Sequence, residues 1–575
     1  MLHYIDRSHL LDHLRALPEA SQDVILLLGG AMGWTEDENL WKPYLEAAIR
    51  ALKPDGLLFI QGLPEHLPAI GVYLDSRLRF KYWIAVESLP RQIRAGLPSV
   101  HAGILMFAKG ERFHINRVRA PHEACKACGR TLRDWGGKAH LMHPEGSALS
   151  DVWRHLPRAD NYTGLSEAVF ETLLKLVTPA QSSSPDNHRW NGVIAPSEGL
   201  TVRENVFSLH EPRSFYSVET LQYPLPGVRA EPITLPSFEE APLTLPSDFV
   251  DAVIQGDALE VLKRLPDESV DVVFADPPYN LDKAYNVYED EKDRRAYLAW
   301  CESWLSEYIR VLKPTGSLFV LNLPRWAMYH AHYLNRRLHF QNWIVWDALS
   351  EPRGKLMPAH YALLFYTKHP TDFVFNYEEL AALDARFYCL RSACIRQRKA
   401  RGEDEKEPLT DFWWDIHRIK HRRDRDYHPC QLPDALMERI IRLTSRPGDV
   451  VLDALAGTGT TAVVAARLGR HYLAIDIDEV YVQITREKLE QIKTWGEIRR
   501  TSLSKPKAPY TKKALQLELR ELARQLGRLP TPEDVQQFSR YGLQAFMQTF
   551  PTWGKALKAA KLEVENGNTA KNKPG

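Results

Sequence analysis

The sequence of 575 residues predicts a doubly wound α/β fold that occurs twice, followed by a small helical unit. Three observations predict it: a long internal repeat, a strand–glycine turn–helix segment in the second half, and helical apolar spacing in the tail. The chain is too long for one hydrophobic core, and its 44% hydrophobic and 26% charged residues are ordinary for a globular protein.

The repeat relates two segments that lie about 260 residues apart. ALKPDGLLFIQGLP at 51–64 returns as VLKPTGSLFVLNLP at 311–324; Lys53 and Lys313 are 260 positions apart, and His101 and His360 are 259. We interpret residues 1–180 as a degenerate copy of the domain at 248–498. The proline-rich residues 181–247 are expected to form a connector.

The second copy continues into a glycine turn that the first copy lacks. A buried strand ends at Asp453, Gly457 and Gly459 form a tight turn, a helix follows, and a second strand ends at Asp476. Strand, glycine turn, helix and a second acid form the arrangement that binds nucleosides, the acid accepting hydrogen bonds from ribose hydroxyls. No lysine follows the second glycine, which excludes a triphosphate cradle.

An earlier strand of the second copy ends in the stretch VVFADPPYN, which contains Asp276, Pro277, Pro278 and Tyr279. Together with DALAGTGTT, this stretch resembles the beta-group DNA amino-methyltransferases, which use S-adenosylmethionine and carry the Pro-Pro-Tyr motif before the glycine motif. The resemblance covers about residues 249–495 and implies a permuted Rossmann-like fold. The first copy has Leu28 opposite Asp276 and is expected to be catalytically inactive.

The resemblance implies a role for each residue of the motif. The Asp276 carboxylate and the Pro277 carbonyl would accept the two N–H bonds of an exocyclic amine, freeing the nitrogen lone pair. The prolines Pro277 and Pro278 hold the bend and add no competing donor. Tyr279 would stack on a base flipped out of the duplex.

Adenine N6 is the expected target, because the family uses the Asp form of the motif more for adenine and the Ser form more for cytosine N4. Cytosine N4 methylation remains the alternative, followed by RNA or protein methylation. A non-catalytic DNA-binding scaffold is the alternative from another class of protein.

The resemblance also implies the residues that bind the cofactor. Asp257 stands near the position of the adenine, Asp453 would face the cofactor amino group, and Leu455 replaces the usual phenylalanine. The expected set is Asp257, Asp453, Ala454, Leu455, Gly457, Gly459, Thr460 and Asp476.

A basic stretch between the repeat and the glycine turn predicts contact with double-stranded DNA. The family resemblance implies that the interval at about 375–427 holds target recognition. The neighbouring EDEKE leaves a solvated charged surface as the alternative. The candidate DNA contacts are Arg391, Arg396, Arg398, Lys399, Arg418, Lys420, Arg422 and Arg423.

Residues 505–565 predict an accessory helical unit. Leucines at helical spacing precede Gly527, and Thr531 caps a helix begun by Pro532. The unit resembles the repeat associated with homing endonucleases, which implies DNA binding; an oligomerisation unit is the alternative.

Cysteine spacing indicates a zinc site in the first copy. Cys125 and Cys128 precede His140 and His143, and two thiolates with two imidazoles can bind zinc tetrahedrally. A looser set in the second copy consists of Cys389, Cys394, His417 and His421.

Six cysteines exclude a disulfide framework and suit a reducing compartment. No stretch reaches the roughly 18 apolar residues of a membrane span, and the start of the chain is unlike a signal peptide. We therefore expect a protein of the prokaryotic cytoplasm or nucleoid, with no membrane partner. A restriction endonuclease is a candidate partner, and the internal repeat is expected to form a pseudo-dimer in place of a homodimer.

Overall fold

The computed structural model describes the greater part of both halves and of the tail. The described residues are 2–132, 142–179, 192–195, 200–201, 243–280, 292–348, 354–380, 382–403, 405–419, 431–498, 512–550 and 552–562. No helix within these ranges is long and apolar enough to cross a membrane.

The first half is built on a seven-stranded sheet with helices packed against it. Its strands are β1 (Leu2–Tyr4), β2 (Gln22–Leu28), β3 (Leu52–Gly62), β4 (Arg79–Arg91), β5 (Ser99–Ala108), β6 (Arg119–Ala120), β7 (Ser147–Ala148), β8 (Val152–Trp153), β9 (Leu165–Ser166), β10 (Gly192–Ala195) and β11 (Leu200–Thr201). Its helices are α1 (Leu10–Ala16), α2 (Gly29–Met32), α3 (Glu38–Ala51), α4 (Leu67–Asp75) and α5 (Glu167–Val177). The sheet order is β1-β10-β2-β3-β5-β4-β8; β6 pairs with β7, and β9 with β11.

The second half is built on an eight-stranded sheet. Its strands are β12 (Ala252–Gln255), β13 (Val270–Ala275), β14 (Leu312–Asn322), β15 (His339–Asp347), β16 (His360–Thr367), β17 (Ala382–Asp384), β18 (Lys406–Pro408), β19 (Phe412–Trp413), β20 (Val450–Asp453) and β21 (His471–Asp476). Its helices are α6 (Ala258–Leu262), α7 (Arg294–Val311), α8 (Pro324–Leu334), α9 (Ser392–Ala400), α10 (Asp434–Thr444), α11 (Thr460–Arg467) and α12 (Glu479–Trp495). The sheet order is β12-β21-β20-β13-β14-β16-β15-β19, and β17 pairs with β18.

The two sheets share one topology apart from a single strand. The order β2-β3-β5-β4-β8 matches β13-β14-β16-β15-β19, and each pair of neighbours runs in the same relative direction in both sheets. In the second sheet β21 lies between β20 and β12, whereas in the first sheet β10 pairs directly with β1. Within the described residues, the first sheet has no counterpart of β21, the strand that carries Asp476. That the first half is a degenerate copy stays our interpretation of this correspondence.

The repeated LKPxG segment, which begins β3 and β14, has the same structural role in both halves. The Lys53 ammonium lies 2.8 and 2.9 Å from the two carboxylate oxygens of Asp23, and Lys313 makes the same pair of contacts with Asp271. Each lysine therefore ties the start of one central strand to the start of its parallel neighbour. The same ion pair therefore occurs at equivalent positions of the two sheets.

The two halves contact each other through reciprocal pairs of residues. The rings of Trp83 and Trp343 stack with centroids 3.8 Å apart. His101 Nδ1 lies 3.2 Å from the Trp343 carbonyl, and His360 Nδ1 lies 3.3 Å from the Trp83 carbonyl. Each histidine accepts a hydrogen bond at Nε2 from the indole N–H of its own half, so Nδ1 carries the proton that it donates across the interface.

Two buried aspartates make a second reciprocal contact. Asp151 of the first half accepts the amides of Ala359 and His360, at 2.7 and 3.0 Å. Asp411 of the second half accepts the amide of Val100 at 2.8 Å. Each half therefore supplies acceptors for backbone donors of the other.

The tail forms a small helical unit of α13 (Lys512–Leu526), α14 (Pro532–Phe538), α15 (Leu543–Thr549) and α16 (Trp553–Ala559). Leu515, Leu519 and Leu522 share its buried core with Phe546. The predicted helix start is confirmed, because Thr531 and Asp534 form a capping box at the first turn of α14.

Candidate active site

One cavity of about 370 Å³ lies at the carboxyl ends of β13, β20 and β21. The Asp276–Tyr279 motif follows β13, and the glycine turn follows β20, which is the parallel neighbour of β13. Carboxyl ends of parallel strands meet at one edge of a sheet, where doubly wound folds bind their ligands. Two motifs that are about 180 residues apart in the chain therefore line the same space.

The bend after β13 is pinned by side chains of the surrounding helices. The Tyr297 hydroxyl donates to the Pro278 carbonyl at 2.7 Å, and the Trp326 indole N–H donates to the Tyr279 carbonyl at 2.8 Å. Among the described residues, no donor contacts the Pro277 carbonyl. The Pro278 and Tyr279 carbonyls are therefore held in place, whereas that of Pro277 has no protein donor from the described residues.

Tyr279 has a contact that the sequence did not predict. Its hydroxyl donates a hydrogen bond of 2.7 Å to Asp276 Oδ1, and only 4% of the residue is exposed. Its ring lies 6.0 Å from that of Tyr361, at an angle of 52°. The tyrosine therefore holds the orientation of the Asp276 carboxylate, in addition to any contact of its ring.

Asn280, directly after the motif, contacts Lys292. It has a φ of 52°, a left-handed conformation that asparagine tolerates better than most residues. Its side chain donates to the Lys292 carbonyl at 2.9 Å and accepts the Lys292 amide at 2.7 Å. Residues 280 and 292 are therefore held together at the cavity wall.

Two carboxylates of the glycine segment line the cavity and are held by the backbone around them. Asp453 accepts the Thr461 hydroxyl at 2.6 Å and the Leu455 amide at 3.1 Å. Asp476 accepts the amides of Gly457 and Asp478 at 2.7 and 2.8 Å. The turn is therefore organised around both acids.

Burial raises the pKa of both carboxyl groups. The pKa of Asp453 rises to about 6, since desolvation outweighs the hydrogen bonds from Thr461 and Leu455. The pKa of Asp476 rises to about 7, through desolvation and the nearby charges of Asp478 and Asp453. Such a pair favours a cationic ligand, which stabilises both carboxylates.

Gly459 does not approach the ligand space, contrary to the sequence-based prediction. Gly457 lines the cavity, but Gly459 packs against α12. A Cβ atom at Gly459 would lie 2.5 Å from Thr485 Oγ1 and closer still to Thr485 Cγ2, and its φ is 73°. Glycine is therefore required at 459 by the turn and by helix packing.

The other predicted cofactor residues all line the cavity. They are Asp257, Asp453, Ala454, Leu455, Gly457, Thr460 and Asp476. Asp257 also caps α6, accepting the amides of Leu259 and Glu260.

Sequence reasoning missed several lining residues. The additional ones include Phe274, Lys292, Trp300, Ile477 and Tyr481. Of these, only Ile477 could have been predicted from the sequence, because it is a large apolar residue directly after the acid that ends β21. The residue is 49% exposed, as expected for one that contacts a ligand. Trp300 and Tyr481 lie on α7 and α12. Which face of each helix lines the cavity depends on packing between distant segments.

The lining fits a nucleoside cofactor with a cationic group. The volume is within the roughly 300–1,000 Å³ of small-molecule sites. Phe274, Leu455 and Ile477 supply apolar surface, and Asp257, Asp453 and Asp476 supply acceptors.

The predicted DNA contacts differ in their exposure. Arg396 and Lys399 are exposed on α9. Arg398 is wrong as a phosphate contact: it is fully buried, forms a salt bridge with Asp384 and stacks on the Tyr388 ring at 4.5 Å. Helical spacing places Arg398 on the same face of α9 as Cys394, four residues earlier, and both are buried.

Two other predicted arginines make specific contacts. Arg391 donates to the Thr131 carbonyl of the first half at 2.8 Å. Arg418 donates to the Tyr361 hydroxyl at 3.2 Å, and the Tyr361 ring contacts Tyr279. A single residue therefore separates Arg418 from the Asp276–Tyr279 motif. Lys420, Arg422 and Arg423 lie outside the described residues.

The predicted zinc set is rearranged in the structure. Cys125 and Cys128 lie with Cys389 and Cys394 of the second half, not with His143. His143 instead accepts the Glu145 amide at Nδ1. Spacing along the chain could not indicate a pairing between the halves; His140 and His421 lie outside the described residues.

In the first half, side chains pack against the strand end that matches the Asp276 bend. Trp34 packs against Gly29, so closely that a Cβ atom there would lie 2.6 Å from its ring. Gln61 accepts the Gly30 amide at 3.2 Å. Protein side chains thus occupy the place that corresponds to the Asp276 bend.

Comparisons with known proteins find relatives of the second half and of the tail. A family described as DNA methylase matches residues 270–487, and a homing endonuclease associated repeat matches residues 510–563. The Type II methyltransferase M.BamHI of Bacillus amyloliquefaciens is 38% identical over 244 residues, which are 41% of this chain and 56% of that protein. M.HpaI of Haemophilus parainfluenzae is 33% identical over 243 residues, 41% of this chain and 74% of that protein.

The chain thus spans little more than half of the first relative and about three quarters of the second. Among solved structures, TTHA0409 of Thermus thermophilus, assigned as a DNA modification methylase and complexed with S-adenosyl-L-methionine, is 26% identical. The match covers 42% of this chain and 93% of that one, with a TM-score of 0.30.

Proposed function

Because the chain belongs to the N6/N4 family of DNA methylases, we propose that it methylates an exocyclic amine of double-stranded DNA, using S-adenosylmethionine. The observation that carries this proposal is the shared cavity: the Asp276–Tyr279 motif and the glycine turn line one space of about 370 Å³. If each motif lined a separate cavity, the cofactor methyl group and the base amine could not meet.

S-adenosylmethionine, when bound, supplies an electrophilic methyl group on a sulfonium. Asp453 and Asp476 would bind its cationic and ribose groups, and Leu455 and Ile477 its adenine ring. Asp276 and the Pro277 carbonyl would accept the two N–H bonds of the target amine and align its nitrogen. Alignment of this kind contributes up to about 7–11 kcal/mol to catalysis.

We propose adenine N6 as the target amine. The support is the Asp form of the motif, with Tyr279 holding the Asp276 carboxylate in one orientation. Cytosine N4 remains the alternative, because both amines present two N–H bonds to the same pair of acceptors.

The first half is proposed to be a catalytically silent partner within the chain. Side chains fill its matching strand end, and its reciprocal contacts with the second half support an internal pseudo-dimer. Arg396, Lys399 and Arg418 are the proposed DNA contacts among the described residues. A restriction endonuclease of the same specificity is the partner we expect for the whole protein.

The test is nucleoside mass analysis of duplex DNA treated with the full chain and S-adenosylmethionine. We expect N6-methyladenine, and none in a reaction without the cofactor. N4-methylcytosine would support the alternative target, and no modified base in varied duplex sequences would contradict the proposal.

A further inference from the structure

Four cysteine side chains from the two halves meet at one point. The sulfur atoms of Cys125, Cys128, Cys389 and Cys394 all lie within 4.8 Å of one another. Cys125 Sγ lies 3.7 Å from Cys394 Sγ, and Cys128 Sγ lies 3.7 Å from Cys389 Sγ. Both of these short pairs join the first half to the second.

The distances fit a single tetrahedral metal ion. With Zn–S bonds of about 2.3 Å, tetrahedral geometry separates neighbouring sulfurs by about 3.8 Å. A disulfide requires about 2.05 Å, far below the separation here. Iron–sulfur clusters insert several atoms between their cysteine ligands and spread them further apart.

The first pair lies on a tight turn suited to a metal ligand pair. Cys125 donates its amide to the Arg130 carbonyl at 2.6 Å, and the Gly129 amide donates to the Cys125 carbonyl at 2.8 Å. Gly129 has a φ of 67°, which glycine adopts without strain. This turn points both thiols of the Cys-x-x-Cys segment to one side.

The second pair is docked onto this turn by the surrounding chain. The Cys389 amide donates to Cys125 Sγ at 3.3 Å, and the Lys126 amide donates to the Phe387 carbonyl at 3.0 Å. Backbone donors of this kind orient metal-binding sulfurs. Cys394 lies in the first turn of α9.

We propose that Cys125, Cys128, Cys389 and Cys394 bind one zinc ion, which joins the first half of the chain to the segment that leads into α9. All four ligands come from protein, as in structural zinc sites, which have no open position for a substrate. The surrounding apolar cluster consists of a few residues, among them Ala385 and Tyr388. Small cores of this kind need a metal or another cross-link for stability.

The proposal is tested on the purified full chain by metal analysis and X-ray absorption at the zinc edge. We expect one zinc per chain, surrounded by four sulfurs at about 2.3 Å. Absence of metal, iron in place of zinc, or two sulfurs with two nitrogens would overturn it. A disulfide between Cys125 and Cys394, found by peptide mass analysis, would also overturn it.

Substitutions of single cysteines test which thiols bind the zinc. Cys128→Ser and Cys389→Ser should each lose the zinc, whereas Cys301→Ala, buried on α7, should keep it. If the serine variants do not fold, Cys128→His keeps the test open, because it should retain one zinc with three sulfurs and one nitrogen. Zinc retained in both serine variants with unchanged coordination would contradict the proposal.

Discussion

At the scale of single residues, the orientation of the Asp276 carboxylate depends on its pairing with Tyr279. The family resemblance assigns the tyrosine ring to the base, but its hydroxyl also donates to Asp276 at 2.7 Å. The two roles predict different results for removing the hydroxyl and for removing the ring.

Tyr279→Phe removes only the hydrogen bond, and Tyr279→Ala also removes the stacking surface. We expect the Phe variant to lose about tenfold in kcat, in line with one lost hydrogen bond of about 1.4 kcal/mol. The Ala variant should lose at least a further tenfold, since stacking on a base contributes about 1–3 kcal/mol. Single-turnover methylation of a duplex measures both, and equal losses in the two variants would exclude a role for the ring.

The raised pKa values of Asp453 and Asp476 predict that cofactor affinity depends on pH. The free protein holds protons on these groups below about pH 6 and 7, and a cationic ligand favours the ionised forms. Affinity should therefore rise about tenfold from pH 6 to pH 7.5, and binding near pH 6.5 should release protons.

Calorimetry in buffers of different ionisation enthalpy measures this proton release. Asp476→Asn should weaken binding and remove most of the pH dependence above pH 6. Binding of the cofactor without proton release would contradict the assignment of these acids.

At the scale of elements, Gly459 and Gly469 make a matched pair. Both have φ near 70°, but a Cβ atom would meet Thr485 at 459 and nothing within 4 Å at 469. Gly469→Ala should cost about 1 kcal/mol of unfolding free energy through its backbone alone. Gly459→Ala should cost at least about 2–3 kcal/mol, because overpacking adds to the strain.

Urea unfolding of both glycine variants measures the difference. Equal losses of unfolding free energy in the two variants would show that α12 can shift to make room for the added Cβ atom at no further energetic cost.

The exposed basic residues of α9 give a prediction about DNA binding. Arg396→Ala and Lys399→Ala should each weaken affinity and lower the salt slope by about 1, as expected for one lost phosphate contact. Lys263→Ala is the control, because Lys263 is an exposed lysine at the end of α6 that pairs with Glu260. Filter binding across a salt series measures the slopes, and unchanged slopes would remove α9 from the DNA interface.

Some features of the helices and strands could be predicted from the sequence, and others could not. The fold class of the second half and the convergence of Asp276 with the glycine turn follow from the family resemblance, which rests on motifs whose residues are local in the chain. The role of Gly459 depends on Thr485, 26 residues later, and the burial of Arg398 depends on Asp384 and Tyr388. These contacts arise only when distant segments pack.

At the scale of the whole molecule, the two halves share an interface in which each half supplies contacts that the other needs. Trp83 and Trp343 stack, and Asp151 and Asp411 accept backbone donors from the opposite half. The repeat predicted two similar units, but the cross-pairing of the cysteines could not be read from spacing within either one.

Deleting residues 1–180 should therefore leave the second half unstable. The deletion would expose Trp343 and leave the backbone donors of Ala359 and His360 without their acceptor. We expect lower unfolding free energy, weaker DNA affinity and lower methylation, measured on the purified fragment. A fragment as stable and active as the full chain would show that the first half has no supporting role.

Comparison of Asp276→Ala with the unaltered chain tests whether Asp276 acts on the base amine in the cavity that also binds the cofactor. Isothermal calorimetry and single-turnover methylation are measured on the same preparations, with Asp55→Ala, an exposed acid of the first half, as the control. We predict cofactor affinity within about threefold of the unaltered chain and a loss of methylation of at least about a hundredfold. Methylation that survives in Asp276→Ala would show that Asp276 is not the acceptor that aligns the base amine.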